Sequence, residues 1–463
     1  MLRLSTGIKG LDNILCGGLI GGSSVLIEGS PGCGKTTLGV QTIVEGINAG
    51  EPGLILTFEQ FAEQIYRDAA RFGWDLKTME RENKLRIICT SPQVINDQLL
   101  QASGPIYQII ENIGAKRILI DSFTHFRRIT NEETSLRELM FSMINSLKWR
   151  GLTVMLTKEL SLNEQSSFEE YLVDTIIALS YQETPTDGRR RLIEVLKSRG
   201  HEHLPGKHGF RFANDGMQVY PRQTLNVPAC QDFQGTLCTG IDGLDDLLGG
   251  GIPVGSNMLL CGPAGVGKTT LSLQTINNVL QDQSQKAVLF LHEESPEHIF
   301  RRADGFGWDL RGLVAKGQLV IEYEDFAQID IDEYLFRIDE LMYSLAPSLM
   351  VLDNLFTLLH TVSHDFHLVA EKIARLTRIV KDHGCNSLLI NPSTYGTKQI
   401  SRFGVEESFC DGVIIMGTES IQGVRKRFIE VYKLRNQKHV TGECRMEINS
   451  EGINTFYTKK DLL

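Results

Sequence analysis

"GPAGVGKTT", residues 262–270, satisfies the phosphate-loop spacing G-x-x-x-x-G-K-[ST] past the middle of a 463-residue chain, although such a loop ordinarily opens the domain that uses it. "GSPGCGKTT" at residues 29–37 carries the same pattern. The chain is written twice. "TGIKGLD" from Thr6 returns as "TGIDGLD" from Thr239, "FGWDL" occurs at residues 72–76 and 306–310, and the interval from Gly7 to Gly240 equals that from Lys35 to Lys268. Both copies finish with an Asn-containing turn between strand-like runs, "GFRFANDGMQVY" and "ECRMEINSEGINTFY". A repeat of about 225 residues is a whole domain, too long for a solenoid unit. We expect an N-terminal domain over residues 1–221, a linker over 222–236 within the polar, aperiodic "PRQTLNVPACQDFQGT", and a C-terminal domain over 237–463.

Within each copy, apolar strands alternate with helical stretches. "VLIEG" precedes the first loop, "TTLGVQTIVEGINAG" follows it with helical spacing, and "GLILTFE", "RILIDSF", "LTVMLTK" and "DTIIALS" read as buried strands. Copy two answers with "LMVLDNL", "CNSLLIN" and "DGVIIMG". This pattern predicts an α/β fold of mostly parallel sheets flanked by helices, with ligands at the carboxyl ends of the strands.

The chemistry starts at the two loops. Backbone N–H groups along Gly29, Ser30, Pro31, Gly32, Cys33, Gly34, Lys35, Thr36 and Thr37, and along Gly262, Pro263, Ala264, Gly265, Val266, Gly267, Lys268, Thr269 and Thr270, are expected to surround the phosphates of ATP. Lys35 and Lys268 neutralise β/γ oxygens, and the Thr36 and Thr269 hydroxyls ligate Mg²⁺. Asp121 and Asp353 end their strands at corresponding places, where a carboxylate can hold the metal's water shell. Glu59, in "LTFEQ", and Glu293 and Glu294, in "LFLHEES", are candidates to orient and deprotonate the attacking water. Copy one has Gln60 where copy two has a second acid, and glutamine positions water without taking its proton. Lys197 with Arg199, and Lys433 with Arg435, are read on late strands, where alternate residues share a face. They serve either as cations reaching a neighbouring subunit's γ-phosphate or as a plain basic edge.

Bulk composition narrows the class. With 41% hydrophobic and 22% charged residues the chain can bury a core, and its apolar runs are far shorter than the roughly 20 residues of a membrane span. The start "MLRLSTGIKG" has no secretory pattern, and nine singly scattered cysteines fit reduced thiols in the cytoplasm. A net charge of −10 gives no general attraction for a polyanion and argues against a nucleic-acid partner.

Taken together, these motifs resemble those of the KaiC family, circadian-clock ATPases and their relatives built from two tandem RecA-like domains. The resemblance covers essentially the whole chain. It implies a double-ring homohexamer with ATP at subunit boundaries, so that Lys197, Arg199, Lys433 and Arg435 act from one protomer on the next protomer's nucleotide. It also implies partners of the Kai type or other signalling proteins. Where clock-type members carry an autophosphorylated Ser-Thr pair, this chain reads "VEESFCDGV", with Glu407 and Ser408 at the pair, and "FEEYLVDTI" places Glu169 and Glu170 in the first copy. A glutamate already supplies the charge that phosphorylation would add. Nor does "FYTKKDLL" extend into the long tail of clock-type members, so an oscillator of the familiar kind is not expected. The readings that remain are a ring-forming ATP-hydrolysing signalling platform, an autokinase using Ser408, a RecA-like DNA motor, and a scaffold binding ATP without turnover.

Overall fold

The computed structural model describes every residue except 1, 100–103, 131, 161–167, 184–188, 223–233, 325–329, 361, 363–364, 394–398, 422–423 and 457–463. The chain divides into two units, Met1–Thr224 and Leu225–Leu463. Most of the expected linker lies outside the described residues. Its end does not, for Thr236–Leu237 form a short strand paired with Ile252–Pro253 inside the second unit.

In the first unit the central strand β1 (Ser24–Gly29) runs into the glycine-rich loop and helix α1 (Lys35–Asn48). Strands β2 (Gly53–Thr57), β3 (Leu85–Cys89), β4 (Arg117–Asp121), β5 (Thr153–Glu159) and β6 (Thr175–Glu183) follow, and then β7 (Arg189–Ser198), β8 (His208–Ala213) and β9 (Gly216–Tyr220). The nine-stranded sheet has the order β9-β8-β7-β6-β1-β5-β4-β2-β3. From β6 to β3 every pairing is parallel, and β7 to β9 extend the sheet as an antiparallel meander. The second unit repeats this with β10 (Asn257–Gly262), α2 (Lys268–Val279), β11 (Ala287–Leu291), β12 (Leu319–Tyr323), β13 (Leu349–Asp353), β14 (Asn386–Pro392), β15 (Gly412–Ile421), β16 (Val424–Leu434), β17 (Cys444–Asn449) and β18 (Gly452–Phe456). Its order is β12-β11-β13-β14-β10-β15-β16-β17-β18. These are the mostly parallel, helix-flanked sheets that the alternating pattern predicts, in the two tandem RecA-like domains that the resemblance implies.

Continuous apolar strands produce a core on each face of the sheet, because successive side chains alternate sides. Val25, Ile27, Ile55 and Leu119 pack into one cluster, while Leu26, Leu54, Leu56 and Ile120 pack into the other. The second unit splits likewise, with Leu260 and Leu289 on one face and Leu259 and Val288 on the opposite one. Among the described residues no helix is long and apolar enough to cross a membrane.

Candidate functional site

The loop after β1 ends at Gly34, whose φ of 109° a side chain would strain, and a Cβ there would meet Phe212 at 2.5 Å. Gly267 does the same in copy two, with φ 119° and a Cβ contact to Ile448 at 2.8 Å. Glycine at these points lets the chain turn straight into α1 and α2, aiming free N–H groups of their first turns at the space above the strand ends. Lys35 Nζ donates to the Gly29 and Ser30 carbonyls at 2.9 and 3.0 Å, and Lys268 Nζ to those of Gly262 and Pro263 at 2.7 and 2.9 Å. Both ammonium groups are thereby held over their own loops, and burial lowers the Lys268 pKa.

Beside each loop sits a matched oxygen pair. Thr36 Oγ1 donates to Asp121 at 2.7 Å and Thr269 Oγ1 to Asp353 at 2.7 Å. Each aspartate is followed by a cis peptide, to Ser122 in one copy and to Asn354 in the other. Thr157 adds a second hydroxyl on Asp121, and the equivalent strand position in copy two is Ile390. Burial pushes the Asp353 carboxyl up to about 6, with the Thr269 hydrogen bond opposing the rise and the nearby Glu294 and Glu293 adding to it. Among the described residues no cluster of three or more His, Cys, Asp or Glu could cage an ion alone. One hydroxyl and one carboxylate, both hard oxygen donors, fit Mg²⁺, which keeps waters and takes further ligands from substrate phosphates.

The candidate bases lie past the strand ends rather than in them. Strand β2 stops at Thr57, and Glu59 projects from the following turn, where it lines a cavity of about 370 Å³ with Lys35, Thr36 and Asp121. Its carboxylate lies 3.3 Å from His125 Nε2. In copy two, Thr357 Oγ1 donates to Glu293 at 2.9 Å, and Glu294 is bound by Arg302 at 2.9 Å. His292, which precedes the two acids and donates its backbone N–H to the Asp353 carbonyl, is buried with its ring against Tyr334, and burial depresses its pKa to about 4. Residue patterns had not singled out His125, Thr357, Thr157 or Arg302. The signal for the first two was present in the duplication, since each is the fourth residue after its aspartate.

The cation pairs lie where the late strands finish. Lys197 and Lys433 lie within β7 and β16, but these strands end at Ser198 and Leu434, so Arg199 and Arg435 fall just outside. A register shift also occurs at each site, Ile176 and Ile177 opposing Lys197 and Val195, and Val413 and Ile414 opposing Lys433 and Val431. The shift precedes each lysine and leaves lysine and arginine two residues apart on one run of ladder, the Arg199 and Arg435 N–H groups still donating to the Asp174 and Asp411 carbonyls at 2.8 and 2.9 Å. Lys197 Nζ donates to the Glu170 and Val173 carbonyls at 2.6 and 2.8 Å, and Arg199 to that of Tyr171 at 2.8 Å. Lys433 Nζ reaches the Glu407 and Cys410 carbonyls at 2.6 and 2.8 Å, and Arg435 that of Ser408 at 3.3 Å. This equivalence corrects the alignment of the copies: Glu170 matches Glu407, and Tyr171 matches Ser408. Burial, and then the neighbouring arginine, lower the pKa of both lysines. Both pairs sit at the end of the sheet away from their own phosphate loop. Lys433 is opposite Val413, whereas the loop leaves β10 beyond Cys261, the partner of Ile415.

The model of the KaiC ATPase family matches residues 4–224 and again 237–460. The circadian clock oscillator protein KaiC of Prochlorococcus marinus (strain MIT 9313) is 29% identical over 94% of this chain and 89% of its own length. That of Parathermosynechococcus lividus is 29% identical over 97% of this chain and 85% of its own, and that of Synechococcus elongatus 28% identical over 94% and 86%.

Proposed function

The chain belongs to the KaiC ATPase family, and from that premise we propose that it is a Mg²⁺-dependent ATP phosphohydrolase whose protomers assemble as a double-ring hexamer, serving in the cytoplasm as a nucleotide-driven platform for signalling partners. The observation that carries this reading is the duplicated constellation of loop-bound lysine, Thr–Asp pair and anchored glutamate.

In this reading the loop N–H groups and Lys35 or Lys268 bind and orient the ATP phosphates, and Thr36 with Asp121, or Thr269 with Asp353, hold the metal. A Mg²⁺ ion held there would neutralise charge on the ATP phosphates. Glu59 or Glu293 orients a water for in-line attack on the γ-phosphorus and takes its proton as the bond to the leaving ADP oxygen breaks. Lys197 and Arg199, or Lys433 and Arg435, complete the neighbouring protomer's site, which suits their position at the far end of their own sheet.

A second reading, Ser408 as phosphoryl acceptor, is favoured by its exposure and by its carbonyl contact with Arg435, a cation placed here at a neighbour's nucleotide. One time course with γ-labelled ATP separates the two. Phosphate release without stable protein label, abolished only when Lys35→Ala and Lys268→Ala are combined, is the expected result. Stable label lost in Lys268→Ala and in Ser408→Ala would establish the autokinase instead.

A further inference from the structure

The two copies anchor their first acid from the same place with different chemistry. The residue four past the aspartate is His125 in one and Thr357 in the other, at 3.3 Å from Glu59 and 2.9 Å from Glu293. Each anchor is itself fixed. The His125 side chain is 12% exposed and meets the Phe58 ring edge-on at 6.2 Å, and Phe58 in turn packs on Phe126 at 5.3 Å. Thr357 is buried, with its backbone N–H bound to Asn354 Oδ1 at 2.8 Å. Glu59 lies past the end of β2 with its side chain 58% exposed, facing the imidazole from the loop side. A base must sit within hydrogen-bond reach of the water it activates, and displacement by about 1 Å costs as much as 100-fold in rate.

We propose that His125 is the positioning residue of the first site: its Nε2–H donates to Glu59 and fixes the carboxylate over the phosphate cavity, the task Thr357 performs for Glu293. A carboxylate accepts only, so the nitrogen facing it carries the hydrogen. The imidazole stays outside the proton transfer. This rests on the ATPase reading, with Glu59 as base.

The test uses the full chain carrying Lys268→Ala, which leaves the first site as the source of phosphate release. His125→Phe keeps a ring beside Phe58 but removes the donor. His125→Gln discards the ring and keeps a donor at the position of Nε2. We expect His125→Phe to lower kcat about tenfold with KM within about twofold, and His125→Gln to restore most of that loss. Fluorescent-nucleotide affinity should stay unchanged in both. A purely structural histidine predicts the reverse order, with Phe tolerated and Gln impaired, and that order overturns the proposal, as does a change confined to KM. If the Lys268→Ala parent releases no Lys35-dependent phosphate, the ATPase reading falls and the proposal with it. A working parent indifferent to residue 125 overturns the proposal alone.

Discussion

At the scale of single residues, the second site presents two acids with different partners. Glu293 is held by a neutral hydroxyl, whereas Glu294 is tied to the Arg302 guanidinium at 2.9 Å. The ion pair ties the Glu294 carboxylate to a neighbouring helix, whereas the single hydroxyl donor orients Glu293 and leaves it acceptor capacity for a water. In a Lys35→Ala background, Glu293→Gln is therefore expected to lower phosphate release by about 100-fold or more, and Glu294→Gln by only a few-fold. Initial rates at saturating Mg-ATP check this; equal losses would show that the acids work as a unit. Copy one has Gln60 where copy two has Glu294, so the same argument removes a reason to expect the first site to be slower. The loops, aspartates and first glutamates were legible because each occupies a motif position. Arg302 was not, since it sits on the helix Pro296–Asp304 and meets Glu294 only once the chain folds back.

At the scale of elements, the short helices Glu169–Leu172 and Glu406–Phe409 begin with a glutamate that is almost fully buried. In copy one the charge is balanced by Lys158 at 3.4 Å, also buried, with Arg127 at 3.9 Å. In copy two the matching strand position is Asn391, and Glu406 is satisfied by neutral donors: Asn391 Nδ2 at 2.8 Å, Ser401 Oγ at 2.6 Å, and the Phe403 and Val405 N–H groups at 3.0 Å. Removing one member of a buried ion pair strands the other, at a cost of about 3 kcal/mol, whereas losing one neutral hydrogen bond among several costs about 1 kcal/mol. Lys158→Met should accordingly weaken hydrogen-exchange protection in β5 far more than Asn391→Ala does in β14. Comparable losses would mean that Glu169 draws its compensation elsewhere. None of this was readable from "FEEYL" and "VEESF". Paired acids at a strand approach look like solvated surface, and only the β5 and β14 registers place Lys158 and Asn391 opposite them. The same helices carry the carbonyls gripped by Lys197, Arg199, Lys433 and Arg435, so the cations have a task within the chain before any partner is considered.

For the whole molecule, the question is whether each site is completed within one chain. Parallel strands put both phosphate loops at their carboxyl ends, while the register of β7 and β16 puts the cation pairs at the other end. From Val413, opposite Lys433, to Met416, beside Gly262, is three residues of extended strand, or about 10 Å along the sheet. A Lys or Arg side chain extending away from the loop at that point cannot also reach back to it. A head-to-tail ring removes the conflict, because each protomer then offers its cation end to the loop end of the next. Subunit mixing tests this. In a Lys35→Ala background, homogeneous Lys268→Ala and Arg435→Ala proteins should each have lost second-site turnover, yet an equimolar mixture exchanged before Mg-ATP is added should regain about a quarter of the second-site rate. An intact loop meets an intact arginine at that fraction of randomly filled boundaries. Recovery near zero would mean that loop and arginine serve the same chain, which the strand register could accommodate only through a rearrangement of the strand end at Arg435.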